Sequence, residues 1–111
     1  MPDHVHAMVY FEAGGRLSGF MHGWKRKSSW RLRRYLETAA IEYAVYLQDS
    51  DRLWRPKYYD FNIFSEAKLQ EKRVYMHANP VRTGLVETDV DWPWSSARWY
   101  AMGLPVGVPL E

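Results

Sequence analysis

The stretch SEAKLQEKRVYMHANPVRTG, residues 65–84, has the pattern of one helix with a marked start and a marked end. Ser65 and the Glu66 that follows it form a typical start signal. Pro80 marks the end, because the residue before a proline is pushed out of the helical region. Gly84 then supplies a turn. The stretch therefore predicts a helix that stops at Pro80.

Two stretches that precede this helix predict strands. HVHAMVYF, residues 4–11, is short, apolar and rich in residues that favour strands. LWRPKYYDFNIF, residues 53–64, is aromatic, but Pro56 lacks the backbone donor that a regular strand needs. The second strand is therefore expected to begin near Tyr58.

Helical spacing of apolar residues predicts two more helices between these strands. Leu17–Trp24 carries one apolar face, although its two glycines weaken it. Ser28 and Ser29 interrupt the pattern and offer a helix cap. A second helix is then predicted from about Trp30 to Gln48.

Composition excludes several classes of protein and of site. The chain has 111 residues, 47% of them hydrophobic, which suits one domain with a core. It has no cysteine, which excludes disulfides, thiolate zinc sites and cysteine nucleophiles. It also has no apolar run near the ~18 residues of a transmembrane helix and no secretory signal. We therefore expect one cytoplasmic domain over residues 1–111, with an irregular tail at 104–111.

Basic residues concentrate in one block between Arg16 and Leu36, where no Asp or Glu occurs. The block contains Arg16, Lys25, Arg26, Lys27, Arg31, Arg33 and Arg34. Such a block suits a phosphate-binding surface, and aromatic residues interleaved with arginine suit single-stranded nucleic acid. A solvated helix face and an ordinary aromatic core would give the same pattern.

His4 and His6 form an H-x-H pair in the first predicted strand. Residues two apart in a strand point to the same face, about 6.6–7 Å apart along the chain. Two imidazoles on one face can bind one divalent cation, and two surface histidines would show the same spacing. A third ligand would favour the cation.

Tyr75 and Asn79 lie four residues apart on the predicted helix, so they share one face. A tyrosine can act as a covalent nucleophile, and a carboxamide oxygen can complete the coordination of a hard metal ion. The same two residues also suit a packed aromatic side chain and a helix terminator before Pro80.

Four motifs, in this order, resemble one family of enzymes. MPDHVH, residues 1–6, is similar to the histidine–hydrophobic–histidine motif of HUH single-tyrosine transposases of the IS200-like type. GRLSGFMHGWKRKSS, residues 15–29, resembles the helix after that motif. LWRPKYYD, residues 53–60, resembles the aromatic strand that comes next, and VYMHANPVRTGLVETDVDWPWSSARWY, residues 74–100, resembles the region around the catalytic tyrosine of REP-associated tyrosine transposases.

The resemblance implies a fold and a set of functional residues. The fold is α+β, a ferredoxin-like antiparallel sheet with helices on one face. His4, His6 and Asn79 would bind Mg²⁺ or Mn²⁺, and Tyr75 would be the nucleophile. The DNA-binding residues would be Lys25, Arg26, Lys27, Arg31 and Arg34. The partner would be single-stranded or hairpin DNA of a repetitive palindromic element in a bacterial nucleoid, with no membrane contact.

The family's fold normally has a strand, a helix and another strand before the histidine strand. Because this chain begins at the histidine strand, we expect a truncated element or a start codon placed too late. Two functions stay open. One is metal-dependent nicking and strand transfer of single-stranded DNA through a 5′-phosphotyrosine. The other is a non-catalytic DNA-binding remnant, and the chain could be a monomer or a dimer in either case.

Overall fold

The computed structural model describes residues 1–39, 42, 45, 52–107 and 110. Its helices are α1 (Leu17–Ala39), α2 (Glu66–Arg82), a short 3₁₀ helix (Asp89–Asp91) and α3 (Ala97–Met102). Apart from Glu42 and Val45, the predicted helical residues after Ala39 lie outside the described part of the chain.

The chain forms two compact units. One unit contains Met1–Met8 together with residues 61–111, and the other contains Val9–Asp60. The first unit holds α2, the 3₁₀ helix and α3, and the second holds α1. The single domain expected over residues 1–111 stays a prediction.

The predicted ferredoxin-like sheet is wrong for this structure. Across the described residues there are helices, turns and irregular segments but no β-strand, neither at residues 4–11 nor from Tyr58 onward. A strand forms only where a second extended segment pairs with its backbone N–H and C=O groups. Strand-favouring composition does not supply that partner, so the described fold is helical.

α1 is one continuous helix, so the break predicted at Ser28 and Ser29 is wrong. The Ser28 hydroxyl donates to the carbonyls of Trp24, at 2.8 Å, and Lys25, at 3.2 Å. A serine that bonds back to the preceding turn in this way is compatible with a helix interior. The two predicted helices therefore join through Ser28 into one.

The segment after Arg52 is attached to α1 by side chains instead of being paired in a sheet. Trp54 donates its indole N–H to the Ser28 hydroxyl at 2.9 Å, and its ring lies 5.4 Å from that of Trp24. The Lys25 ammonium donates to the carbonyl oxygens of Arg55, at 2.8 Å, and Lys57, at 3.3 Å. These carbonyls are the acceptors that a regular strand would have offered to a neighbour.

α2 begins where the sequence predicts and ends later. Ser65 is its N-cap, and the hydroxyl accepts a hydrogen bond from the backbone N–H of Lys68 at 3.2 Å. Pro80 lies inside the last turn and does not end the helix, because a proline removes one backbone donor without forbidding helical dihedrals at its own position.

The turn predicted at Gly84 is confirmed and forms the end of α2. Gly84 has φ +71°, its N–H donates to the Val81 carbonyl at 2.9 Å, and the Leu85 N–H donates to the Pro80 carbonyl at 2.9 Å. This pair of bonds closes a helix through a left-handed residue, a conformation that glycine adopts without a steric penalty.

The most buried residues of the described chain lie on α2 and α3. His77, Asn79 and Pro80 are buried on α2, and Ala97 is buried at the start of α3. Arg98 of α3 donates its Nε–H to the Val90 carbonyl of the 3₁₀ helix. Two of the four buried residues are therefore polar, and buried polar groups require partners.

Candidate active site

One stripe of α2 carries Tyr75, Asn79 and Arg82. Residues four and seven apart on a helix differ by about 40° and −20° in direction at 100° per residue. Asn79 is buried, whereas Tyr75 and Arg82 are exposed. The stripe therefore presents a phenol, an amide and a guanidinium along about two turns.

The N-terminal histidines meet this stripe at Asn79. Its side-chain Nδ2 lies 3.0 Å from His6 Nε2 and 3.3 Å from His4 Nε2, within hydrogen-bond distance of both. The two imidazole rings are 4.8 Å apart, edge to face. Residues more than 70 positions apart in the sequence thus place three metal-ligand side chains around one point.

Asp3 orients the first of these histidines. The Nδ1–H of His4 donates to the Asp3 carboxylate at 2.6 Å, and this hydrogen bond holds the pKa of Asp3 below its ordinary value. With its proton on Nδ1, His4 directs the lone pair of Nε2 towards Asn79. A carboxylate behind a histidine is a frequent partner of histidine metal ligands. The sequence analysis did not identify Asp3, although its place beside the H-x-H pair is a usable signal.

His6 links the amide to the tyrosine. Its ring is 5.7 Å from the ring of Tyr75, again edge to face. Burial lowers the pKa of His6 below its ordinary value of 6.5, and the neighbouring His4 adds to the effect. A lowered pKa keeps the imidazole neutral, which is the form that binds metals.

Arg82 lies three residues beyond Asn79 on the stripe, and its side chain also reaches the tyrosine. Its guanidinium carbon is 5.4 Å from the centre of the Tyr75 ring, in the range of a cation–π contact. The Tyr75 ring thus contacts both the imidazole of His6 and the guanidinium of Arg82.

The donor set of His4, His6 and Asn79 fits a divalent cation. Two ligands at about 2.1 Å from a metal and at right angles to it are about 3 Å apart, close to the separations found here. A half-turn of the Asn79 amide places its oxygen towards the histidines, where an amide oxygen suits both Mg²⁺ and Mn²⁺ and the two imidazoles favour Mn²⁺, the softer of these two ions. Within the described residues, no three His, Cys, Asp or Glu side chains form such a group, so the amide is essential to the set.

The opposite face of α2 has a structural role. His77 is buried, and its Nε2 hydrogen-bonds the Ser96 hydroxyl at 2.8 Å. Its ring also packs 5.6 Å from that of Tyr100. Burial lowers the pKa of His77, while Asp89 opposes this shift. His77 therefore attaches α2 to α3.

The basic block lies on α1, and its members differ in environment. Arg26, Lys27, Arg31 and Arg34 are exposed and point to one side of the helix. Trp30 lies among them with 61% of its surface exposed, and the Arg34 guanidinium sits 5.7 Å from its ring. Lys25 points elsewhere, because its ammonium is held by the carbonyls described above. The geometry separates Lys25 from the other four.

A comparison with known protein families shows which family this chain belongs to. The family described as "Transposase IS200 like" matches residues 1–79, well over half of the chain. The chain belongs to the IS200-like transposase family. The match includes His4, His6, Tyr75 and Asn79, and it ends before Arg82.

Membership in the IS200-like transposase family implies that the chain binds DNA. Neither the curated proteins nor the solved structures contain a significant match to it.

In the described part of the chain, no helix is long and apolar enough to cross a membrane.

Proposed function

We propose that this IS200-like transposase nicks single-stranded DNA in a metal-dependent reaction and transfers the strand through a 5′-phosphotyrosine on Tyr75. The observation that carries the proposal is the meeting of His4 and His6 with Asn79, with the Tyr75 ring against His6. Four side chains from two distant segments converge, and each has a part in that chemistry.

Tyr75 is the group that forms the covalent bond. The phenol gives up its proton to solvent as its oxygen attacks the phosphorus, the bond from phosphorus to the 3′ oxygen breaks, and the leaving oxygen takes up a proton from solvent. The products are a 5′-phosphotyrosine and a free 3′-OH, so the energy of the broken bond is kept for rejoining. A bound divalent cation would polarise the phosphate and offset the charge on the leaving oxygen.

The other residues of the site prepare this reaction. His4, His6 and Asn79 are uncharged donors, so they leave the full charge of a cation available to the phosphate. Asp3 fixes the ring orientation of His4, and burial keeps His6 neutral. Asn79 fixes the register of the N-terminal segment on α2.

We assign binding of the DNA backbone to Arg26, Lys27, Arg31 and Arg34 on α1. These cations are exposed on one side of the helix, and the exposed Trp30 among them offers a stacking surface for an unpaired base. The resemblance to REP-associated tyrosine transposases makes a hairpin of a repetitive palindromic element the substrate to try first.

The test is detection of the covalent adduct. The chain is incubated with Mn²⁺ and single-stranded hairpin DNA labelled at its 3′ end, because the protein stays attached to the downstream fragment. We expect a labelled band of protein size on a denaturing gel, abolished by chelator and by Tyr75→Phe. Tyr58→Phe and Tyr59→Phe serve as matched controls and should keep the adduct.

Two results would contradict the proposal. An adduct that persists in Tyr75→Phe would mean that another residue is the nucleophile. DNA binding without any adduct, from metal-loaded protein, would instead favour a non-catalytic DNA-binding remnant.

A further inference from the structure

Arg82 is a cation that contacts the ring of the proposed nucleophile, and the proposed function gives it no role. It occupies the last turn of α2, and its guanidinium lies 5.4 Å from the centre of the Tyr75 ring. Within the described residues, no carboxylate lies within ion-pair distance of it. Its side chain is exposed, so the N–H groups not facing the ring are accessible to a ligand.

A guanidinium in this position matches the reacting group. Arginine carries five N–H donors in a planar fork and forms paired hydrogen bonds to two oxygens of a phosphate. In-line attack by the Tyr75 hydroxyl places phosphorus beyond the ring edge that carries this hydroxyl, and the long Arg82 side chain beside the ring can extend to the non-bridging oxygens there. Of the groups around Tyr75, His4 and His6 belong to the N-terminal segment, whereas Arg82 belongs to the last turn of α2, three residues beyond Asn79.

We propose that Arg82 is a catalytic residue that binds a non-bridging oxygen of the scissile phosphate during attack by Tyr75. The inference rests on the proposed function, because it assigns a second contact to the phosphate attacked there. It goes beyond the family match, which ends at Asn79.

The step balances without any proton from Arg82. The Tyr75 hydroxyl loses its proton to solvent as its oxygen bonds to phosphorus, and the bond from phosphorus to the 3′ oxygen breaks with its electron pair on that oxygen, which takes up a proton from solvent. In the transition state phosphorus is bonded or partly bonded to five oxygens, and negative charge concentrates on the non-bridging ones. Arg82 stays protonated throughout, since guanidinium does not lose its proton in proteins, and it stabilises this charge by hydrogen bonding.

The chain offers a matched control on the same helix. Arg73 also lies over an aromatic ring, 4.2 Å from the centre of Tyr100, but on the opposite face of α2 from Tyr75. Arg73→Gln therefore removes the same charge and the same kind of ring contact without touching the site.

The kinetic experiment measures single-turnover formation of the adduct with two substrates. One is the single-stranded hairpin of a repetitive palindromic element used above, with its ordinary phosphodiester. The other is the same hairpin with a neutral methylphosphonate at the scissile linkage. We expect Arg82→Gln to slow the natural reaction by about 10²–10³-fold and the methylphosphonate reaction by less than about threefold. Arg82→Lys should recover part of the rate, and Arg73→Gln should stay within about threefold of the wild-type chain for both substrates.

Equal losses with both substrates would show that Arg82 only supports the Tyr75 ring, and equal losses in Arg73→Gln would show a general effect of charge. Either result overturns the proposal.

A second measurement needs no turnover: NMR titration with the dinucleotide TpT should shift the Arg82 Nε–H signal, and its neutral methylphosphonate analogue should not. If the wild-type chain forms no adduct, the proposed function fails, and the titration still tests the phosphate contact. An unmoved Arg82 signal would overturn it.

Discussion

The side-chain amide of Asn79 lies 3.0 Å from Nε2 of His6, and this contact joins the N-terminal segment to α2. It makes the amide the common partner of two imidazoles, since His4 Nε2 is only slightly farther away at 3.3 Å. The relationship gives a buried polar residue its hydrogen bonds and also assembles the proposed ligand set. Structure and chemistry thus depend on the same side chain.

Substitutions at Asn79 should test its role as a metal ligand. We expect Asn79→Ala to weaken Mn²⁺ binding at least tenfold, because one of three protein ligands is lost. Asn79→Asp should bind Mn²⁺ more tightly than the wild-type chain, because a carboxylate oxygen replaces a neutral one at the same place. Isothermal titration with Mn²⁺ measures both effects. Unchanged affinity in Asn79→Ala would remove Asn79 from the ligand set.

Asp3 should influence the metal through His4. Loss of a carboxylate behind a histidine ligand typically reduces metal affinity about 10–100-fold, so we expect Asp3→Ala to fall in that range. Asp3→Asn keeps a hydrogen-bond acceptor and should lose less. The ¹⁵N shifts of the His4 ring provide the second readout, because the proton should leave Nδ1 for Nε2 in a fraction of the Asp3→Ala molecules. A ring that keeps its Nδ1 proton in that variant would contradict the assigned role.

His77 should make stability depend on pH. Burial lowers its pKa in the folded chain below the ordinary 6.5. Between those two pKa values the unfolded chain binds more protons, so the free energy of unfolding falls as the pH drops below about 6.5 and levels off below the folded-state pKa. Urea unfolding between about pH 5 and pH 7.5 measures this slope. His77→Gln should reduce this slope and leave the part that comes from His6, whose pKa burial also lowers, whereas His22→Gln, at an exposed position, should not change it.

The basic residues of α1 should fall into two classes. For binding of single-stranded DNA, the logarithm of the binding constant falls linearly with the logarithm of the salt concentration. Replacement of Arg26, Lys27, Arg31 or Arg34 by Ala should make this slope shallower by about 0.7 for every phosphate contact removed. Lys25→Ala should leave that slope unchanged and lower the free energy of unfolding by about 1 kcal/mol, because its hydrogen bonds to the carbonyls are lost. Fluorescence anisotropy at several salt concentrations, with urea unfolding, separates the two. A Lys25→Ala slope that falls as much as the others would contradict the division.

The N-cap of α2 should contribute to the stability of the unit that holds the site. We expect Ser65→Ala to cost about 1 kcal/mol, since it leaves a backbone N–H of the first turn without its side-chain acceptor. Ser65→Asp should restore the loss, because aspartate accepts the same bond and interacts favourably with the helix N-terminus. Urea unfolding followed by circular dichroism measures both. Equal stability of the alanine and aspartate variants would mean that the cap does not limit stability.

α2 shows how much of this chain could be predicted from local sequence. Its start at Ser65 and the turn at Gly84 were predicted from single residue types, and both are confirmed. The shared face of Tyr75 and Asn79 follows from their spacing alone. Pro80 was misjudged because its position in the last turn, where it remains compatible with helical geometry, depends on where the C-cap forms.

The strand predictions failed for a different reason. Residues 4–11 and the segment near Tyr58 have the composition of strands, but strand formation depends on a partner elsewhere in the chain. Lys25 and Trp54 hold the second segment on α1 by side-chain contacts that no local pattern indicates. Ser28 stays within a helix because its hydroxyl bonds to the Trp24 and Lys25 carbonyls of the preceding turn, and the same hydroxyl accepts the Trp54 indole N–H.

The sequence by itself determined the helical spacing of Tyr75 and Asn79, the N-cap of α2 at Ser65, the turn at Gly84 and the basic block. These depend on interactions between residues a few positions apart, because a helix bonds each N–H to a carbonyl four residues earlier. Only the tertiary structure decided that the histidines meet Asn79, that Asp3 orients His4, that Lys25 is occupied and that His77 is buried. Each of these depends on contacts with other segments, some more than 70 residues away, and local spacing carries no information about such contacts.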